Sequence, residues 1–258
     1  MIFSPRIRTA LLCLAVASPG LRAQVTESPQ TVAPGRILVE MDGLRFSTRR
    51  ADSEGHRFDA LAVASTIVTA GLTATVDLQV GFDLFLRERF EVRGQHESHS
   101  GLGDLAFRTK WTFWPADKGG GASAAVIPYV KIPSGSSAVG SDAIEGGFIV
   151  PWSFNPGAGL TAGAMLQWDV VRNDAASGYD SRWLLSSYVE RRIIEAFGVY
   201  AEGMLEAAST GRSHWAGTVG AGALWNLSKH LQLDYQLMRG LNNRATDWTH
   251  VLRVNWEW

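Results

Sequence analysis

The sequence predicts an all-β protein: a single transmembrane antiparallel up-and-down β-barrel of about 12 strands, with a C-terminal strand that ends on Trp258. Three observations carry that expectation. Apolar and polar residues alternate with a period of two along most of the chain, the spacing at which strand side chains change faces. The connections between alternating segments are short and long in turn, as on the two rims of an outer-membrane barrel. Tryptophans recur at segment ends, where such barrels place aromatic girdles.

The first element is "MIFSPRIRTALLCLAVASPGLRAQ". Arg6 and Arg8 precede the apolar run Ala10–Ala17, Pro19-Gly20 breaks it, and Leu21-Arg22-Ala23 suits cleavage. This is the layout of a Sec-type signal peptide over 1–23, with a run far below the roughly 20 residues of a spanning helix. The single cysteine, Cys13, falls inside it behind Leu12, which does not suit a lipoprotein site. The processed chain is therefore expected to lack disulfides, thiolate catalysis and zinc-thiolate sites. Three arginines and no acids leave with the signal, so the basic-minus-acidic balance moves from 24 − 25 to 21 − 25. A mildly acidic chain without basic runs does not suit nucleic acid. A short periplasmic lead is expected at 24–35, and one barrel domain over 36–258, since no linker or composition shift divides it.

The expected strands are 36–46, 57–70, 73–86, 102–114, 122–132, 143–154, 158–171, 180–193, 197–207, 213–226, 229–240 and 247–258. In "TATVDLQVGFDLFL", Val76, Leu78, Val80, Phe82 and Leu84 oppose Asp77, Gln79, Gly81 and Asp83. In "DLAFRTKWTFW", Leu105, Phe107, Trp111 and Phe113 oppose Asp104, Ala106, Arg108 and Lys110. The connection 87–101, "RERFEVRGQHESHSG", is expected as a long polar loop. In the last strand Trp248, His250, Leu252, Val254, Trp256 and Trp258 oppose Thr249, Val251, Arg253, Asn255 and Glu257.

The tryptophans point the greasy face toward lipid rather than a core. Trp215 and Trp225 share a strand and a face, ten residues apart, as do Trp248 and Trp258. Ten residues rise about 34 Å, or about 26 Å after a tilt near 40°, against an apolar band of about 25 Å. The expected girdle is Trp111, Trp152, Trp168, Trp183, Trp215, Trp225, Trp248, Trp256 and Trp258. The expected location is the bacterial outer membrane, with outer-membrane lipid, the barrel-assembly machinery and a small-molecule solute as partners.

By parity the lumen holds Asp77, Asp104, Arg108, Lys110, Tyr129, Lys131, Glu145, Tyr188, Glu190, Tyr200, Glu202, Asp234 and Arg253. These are a selectivity lining or a network of salt bridges that fills the barrel and pins register. If 241–246 is an outer loop, opposite residues sum to 487 and Asp234 sits beside Arg253; the 194–195 turn sets Tyr188 beside Glu202 and Glu190 beside Tyr200. Tyr129, Tyr188 and Tyr200 could stack on a solute or bond neighbouring carboxylates. The loop "GQHESHSG" holds His96, Ser98, His99 and Ser100. A lipid hydrolase would need its His and Ser fixed on a rigid wall with an orienting partner, and the spacing is not that of a zinc helix. No catalytic residue, metal site or cofactor is expected.

Several stretches carry a resemblance. "GLGDLAFRTKW", "IPYVKIPSGS", "SYVERR" followed by "VYAEG", and "LQLDYQLMRGLNNRATDW" resemble the outer-membrane family named for the phenol meta-cleavage degradation pathway, over about 38–258. The matching motif positions are Gly103, Asp104, Lys110, Pro133, Gly135, Glu202, Asp234, Gly240, Leu241, Asn242 and Asp247. The resemblance implies an outer-membrane barrel that passes small hydrophobic or aromatic compounds. The expected function is a channel that passively admits such solutes. The alternatives are a structural or surface-interaction barrel with a plugged lumen and, more remotely, an outer-membrane lipid hydrolase.

Overall fold

The structure, a computed structural model, describes residues 26–50, 56–92, 94–116, 121–173, 178–208 and 214–258. The signal peptide expected over 1–23 lies outside the described residues. Thirteen strands form one antiparallel sheet: β1 Ile37–Arg49, β2 His56–Gly71, β3 Val76–Val92, β4 Gln95–Gly101, β5 Leu105–Trp114, β6 Gly121–Ile132, β7 Glu145–Gly157, β8 Leu160–Arg172, β9 Tyr179–Ile194, β10 Phe197–Ala208, β11 His214–Asn226, β12 Leu231–Gly240 and β13 Trp248–Glu257. Consecutive strands pair, except that β5 skips β4 and pairs with β3, and β1 closes the ring on β13 from Leu38↔Glu257 to Thr48↔Trp248. Closure leaves no open edge in the twelve-strand ring, the condition for a sheet that crosses lipid. Beyond the last strand, Trp258 and Ile37 exchange N–H to carbonyl bonds, both 3.0 Å.

Twelve strands make the ring, and β4 is an extra strand. β3 is long enough to serve two neighbours: its first half pairs with β5 (Val76↔Trp111 to Gly81↔Ala106) and its second with β4 (Leu86↔Gly101 to Val92↔Gln95). The described residues of 87–101, a stretch expected as a loop, are thus the upper part of β3, Gly94 and β4. Its charged residues hid a strand because both faces of this hairpin lie largely in water, so no apolar alternation marks it.

The first three strands change face midway. On β2, Ser65, Ile67 and Thr69 are buried toward the short-turn rim, and Phe58, Ala60 and Ala62 toward the long-loop rim. Ala64, at φ 53°, separates the two sets. The β1 register shifts between Asp42 and Leu44, and on β3 the buried set passes from Asp83 to Leu86. A residue that breaks alternation in each of three adjacent strands bends the wall there, as bulges do.

Thr26–Ala33 do not stand clear as a periplasmic lead. They run up inside the barrel from the short-turn rim. Inward polar side chains on β3, β5, β7, β9 and β10, with the Met165 sulfur on β8, bond to this segment's backbone and side chains, as irregular backbone out of water requires.

Candidate functional site

The lumen is built in storeys, and the internal segment forms its floor. Near the short-turn rim, the Val32 N–H donates to Asp77 Oδ2 (3.2 Å) and Thr31 Oγ1 to the Ala74 carbonyl (2.9 Å). One step inward, Thr112 Oγ1 donates to the Pro29 carbonyl (2.6 Å) and Lys110 Nζ to the Gln30 carbonyl (3.1 Å). Gln30 Nε2 donates across the lumen to Ser153 Oγ (3.3 Å). Glu27 pairs with Arg108, both buried. At the far end, Thr26 gives its N–H (2.8 Å) and Oγ1 (2.6 Å) to Glu202 Oε1 and shares a hydrogen bond with Ser186 Oγ (2.7 Å). The segment therefore crosses from the β3–β5 wall to the β9–β10 wall.

Beside this floor stands a buried ionic cluster. Arg253 donates through Nε to Asp42 Oδ1 (2.8 Å) and through Nη1 to Asp234. Arg253 and Asp42 are 0% exposed and Asp234 1%. Arg45 Nε adds a second bond to Asp42 (2.9 Å), and the Tyr200 hydroxyl donates to Asp234 (2.9 Å). Two carboxylates thus share one guanidinium across β1, β13 and β12, with Tyr200 of β10 closing the set. Gln236 extends it by donating to Glu202.

The next inward residues toward the long-loop rim are apolar. Leu184 follows Ser186, Met204 follows Glu202, and Met238 follows Gln236. With Ile127, Ile149 and Met165 they form one packed cluster, against which Tyr129 also lies. The amide of Glu27 points at Met165 Sδ (3.2 Å), so the floor touches this storey directly. An apolar layer between polar storeys is the arrangement least expected of a water-filled pore. Met side chains adapt their shape to what they pack against.

Above it the lumen is polar again. Tyr129 donates to Asp169, which also accepts from Gln167 Nε2 (2.6 Å). Asp104 accepts from the Gly135 N–H (2.8 Å), the Ser141 N–H (2.7 Å) and Ser141 Oγ (2.9 Å), which ties the 133–144 loop to the wall. Lys131 bridges Asp104 (3.9 Å) and Glu145.

Of the lumen candidates, twelve sit on strands in register with one another on the inward side, and Asp104 precedes β5, bonded to the 133–144 loop. The registers Asp234↔Arg253, Tyr188↔Glu202 and Glu190↔Tyr200 are as expected. The tyrosines do not project into open space. Tyr188 and Tyr200 lie over the cross-strand glycines Gly163 and Gly222, where a Cβ would collide with each ring. Parity alone could have found Ile127, Ile149, Leu184 and Met238, which share faces with assigned inward residues, but attention to charge passed over them. Thr26, Glu27 and Gln30 were missed because no alternation or motif marks them.

The tryptophans sit on the outer face in two tiers. Trp168, Trp183 and Trp215 fall on one row of paired residues near the long-loop rim, with Trp248 farther around. Trp111, Trp152, Trp225, Trp256 and Trp258 lie toward the other rim. Trp215, Trp225, Trp256 and Trp258 are each more than half exposed, which water alone would not favour. On the hairpin, His99 Nε2 is 2.9 Å from Glu97 Oε1 on the same face of β4, whereas Ser98 and Ser100 point to the other.

Among solved structures, the chain is similar to the COG4313 outer membrane channel from Pseudomonas putida F1 (13% identity, TM-score 0.69, covering 91% of this chain and 100% of that one). It is also similar to the translocator domain of the autotransporter NalP from Neisseria meningitidis (13% identity, TM-score 0.56, 98% and 96%). A third is the KdgM porin (8% identity, TM-score 0.52, 85% and 98%). At these identities the likeness is one of fold. A sequence comparison with curated proteins gives no match. The model of the family described as "Putative MetA-pathway of phenol degradation" matches residues 21–258, and the chain belongs to that family.

Proposed function

We propose that the chain is an outer-membrane channel that passively admits small apolar or aromatic solutes, with the segment 26–33 as its constriction. The observation that carries this reading is the apolar storey of Ile127, Ile149, Met165, Leu184, Met204 and Met238, which lies between two storeys of polar and charged inward side chains. Hydrophilic solutes gain nothing from such a layer, whereas each apolar group that leaves water for it gains roughly 0.8 kcal/mol per methylene. The outer tryptophan tiers and the closed ring support a bilayer setting, and the similarity in fold to outer-membrane channels and porins supports the outer membrane. Lipid contacts the outer face, and the barrel-assembly machinery inserts the chain. Family membership supports aromatic compounds as the solute class.

One observation favours the second reading, a plugged barrel that works through its surface: the floor segment is bonded to both walls. The hydrolase reading has no such support, because Ser98 and Ser100 lie on the opposite face of β4 from His99.

The test is uptake of a radiolabelled phenol-like compound by cells that carry the protein, beside single-channel conductance of the refolded protein and of a variant lacking 26–32. Faster uptake than in a deletion strain, with wider conductance steps in the variant, is the expected result. Uptake equal to that of the deletion strain refutes the channel, and steps seen only in the variant establish the plugged barrel.

A further inference from the structure

The outer face above the bend in β1–β3 has a charge pattern that neither the lumen nor the fold requires. Residues directly opposite one another share a face, so the pairings give the outward rows across β12, β13, β1, β2, β3 and β4. The lowest row is apolar: Tyr235, Leu252, Leu44, Val63 and Phe85. The next holds Leu237, His250, Phe46, Leu61, Arg87 and Ser100. The third holds Arg239, Trp248, Thr48, Asp59, Arg89 and Ser98.

The boundary between apolar and polar surface therefore runs through Arg87. Leu61 lies beside Arg87 at the same height, and Phe85, 37% exposed, lies one outward step below. Arg87 and Arg89 are both exposed, about 7 Å apart along the strand. Neither has a hydrogen-bond or ion-pair partner among the described residues. The acid nearest in register to Arg89 is Asp59, and it is already engaged by Arg57 (3.1 Å) and the Thr48 hydroxyl (2.6 Å). Arg239 stands farther along the same rim with its guanidinium 5.0 Å from the Trp248 ring.

We propose that Arg87 and Arg89 bind the phosphates of lipopolysaccharide lipid A at the surface of the outer leaflet. The inference rests on the outer-membrane reading above, with the long-loop rim outward. Two guanidiniums at the upper limit of an apolar wall meet a glycolipid where its acyl chains end and its phosphates begin. Planar forked donors suit phosphate oxygens, and the apolar row below takes the acyl chains. Lipid A then acts as a collar on the β2–β3–β4 side, which carries the protruding hairpin and lacks the tryptophan row that lines β8–β11.

The test measures binding of fluorescent lipid A to the purified full-length protein in detergent micelles. Two basic side chains at a charged lipid surface predict about thirty-fold weaker binding for the Arg87→Gln/Arg89→Gln double variant. The same loss is expected for the unaltered protein with dephosphorylated lipid A, and this arm needs no folded variant. Arg57→Gln, whose cation already has an acid, should bind as the parent does. Equal affinity for dephosphorylated lipid A, or a double variant that folds and binds as the parent, overturns the proposal. So does phosphatidylglycerol bound as tightly as lipid A, which would mark a general anion surface. These outcomes leave the channel reading standing, whereas recovery of the protein outside the outer-membrane fraction overturns both.

Discussion

Arg253→Met should destabilise the barrel sharply, and neutralising its two partners as well should restore most of the loss. The substitution keeps an unbranched side chain but leaves Asp42 and Asp234, which are almost wholly buried, without their shared cation. Removing one partner of a buried pair costs about 3–5 kcal/mol. Arg45 still reaches Asp42 and Tyr200 still donates to Asp234, so the loss should fall near the low end, about 3 kcal/mol. That is roughly two powers of ten in the ratio of folded to unfolded protein. The assay is urea unfolding of the refolded barrel in detergent, followed by tryptophan fluorescence. The triple variant Arg253→Met/Asp42→Asn/Asp234→Asn removes all three charges at nearly constant volume and should unfold within about 1 kcal/mol of the parent, since buried ion clusters add little over neutral packing. A single variant with an unchanged midpoint would refute the reasoning. A triple variant as weak as the single one would also refute it, by showing that shape rather than charge holds the seam.

Deleting Trp258, or replacing it with Asp, should reduce assembly, because the residue exchanges two backbone bonds with Ile37 and exposes its ring beside Trp256; normal levels of a heat-resistant band on a gel would contradict this. Asp104→Ala should free the 133–144 loop, which loses three hydrogen bonds worth about 1 kcal/mol each. Limited proteolysis should then cut the loop faster while the barrel's unfolding midpoint falls only slightly, and unchanged cleavage would count against the anchor.

The ring was legible because each wall has an apolar outer face and a polar lumen face, so alternation, parity and even register could be read residue by residue. Asp234 beside Arg253 followed from a single loop length. The hairpin at 87–101 was not legible, since a strand wet on both faces carries no alternation. The face change at Ala64 was equally hidden, because an alanine gives no sign of a positive φ. The floor was missed for a different reason. Thr26, Glu27 and Gln30 are ordinary polar residues whose partners on the walls lie between 80 and 176 positions away, and no local pattern encodes such distances. The motifs had structural meaning that sequence could not assign. "GLGDL" and "IPSGS" meet at Asp104, and "GLNNRATD" forms the β12–β13 turn, where the Asn242 side chain accepts from the Ala245 N–H (3.3 Å).

The floor segment also fixes an order of events. Thr26–Val32 precede the first strand, so they leave the ribosome before any of the barrel. Their bonding partners are spread over β3, β5, β7, β8, β9 and β10, and those side chains face one another only once the ring has closed. The first part of the structure to be synthesised is thus among the last to find its place, and it pays the loop-closure entropy of nearly the whole chain when it does. Its docking is a signal of completion: a barrel with a mispaired or missing strand offers no continuous set of donors and acceptors for it, and its residues stay within reach of proteases that a finished wall shuts out.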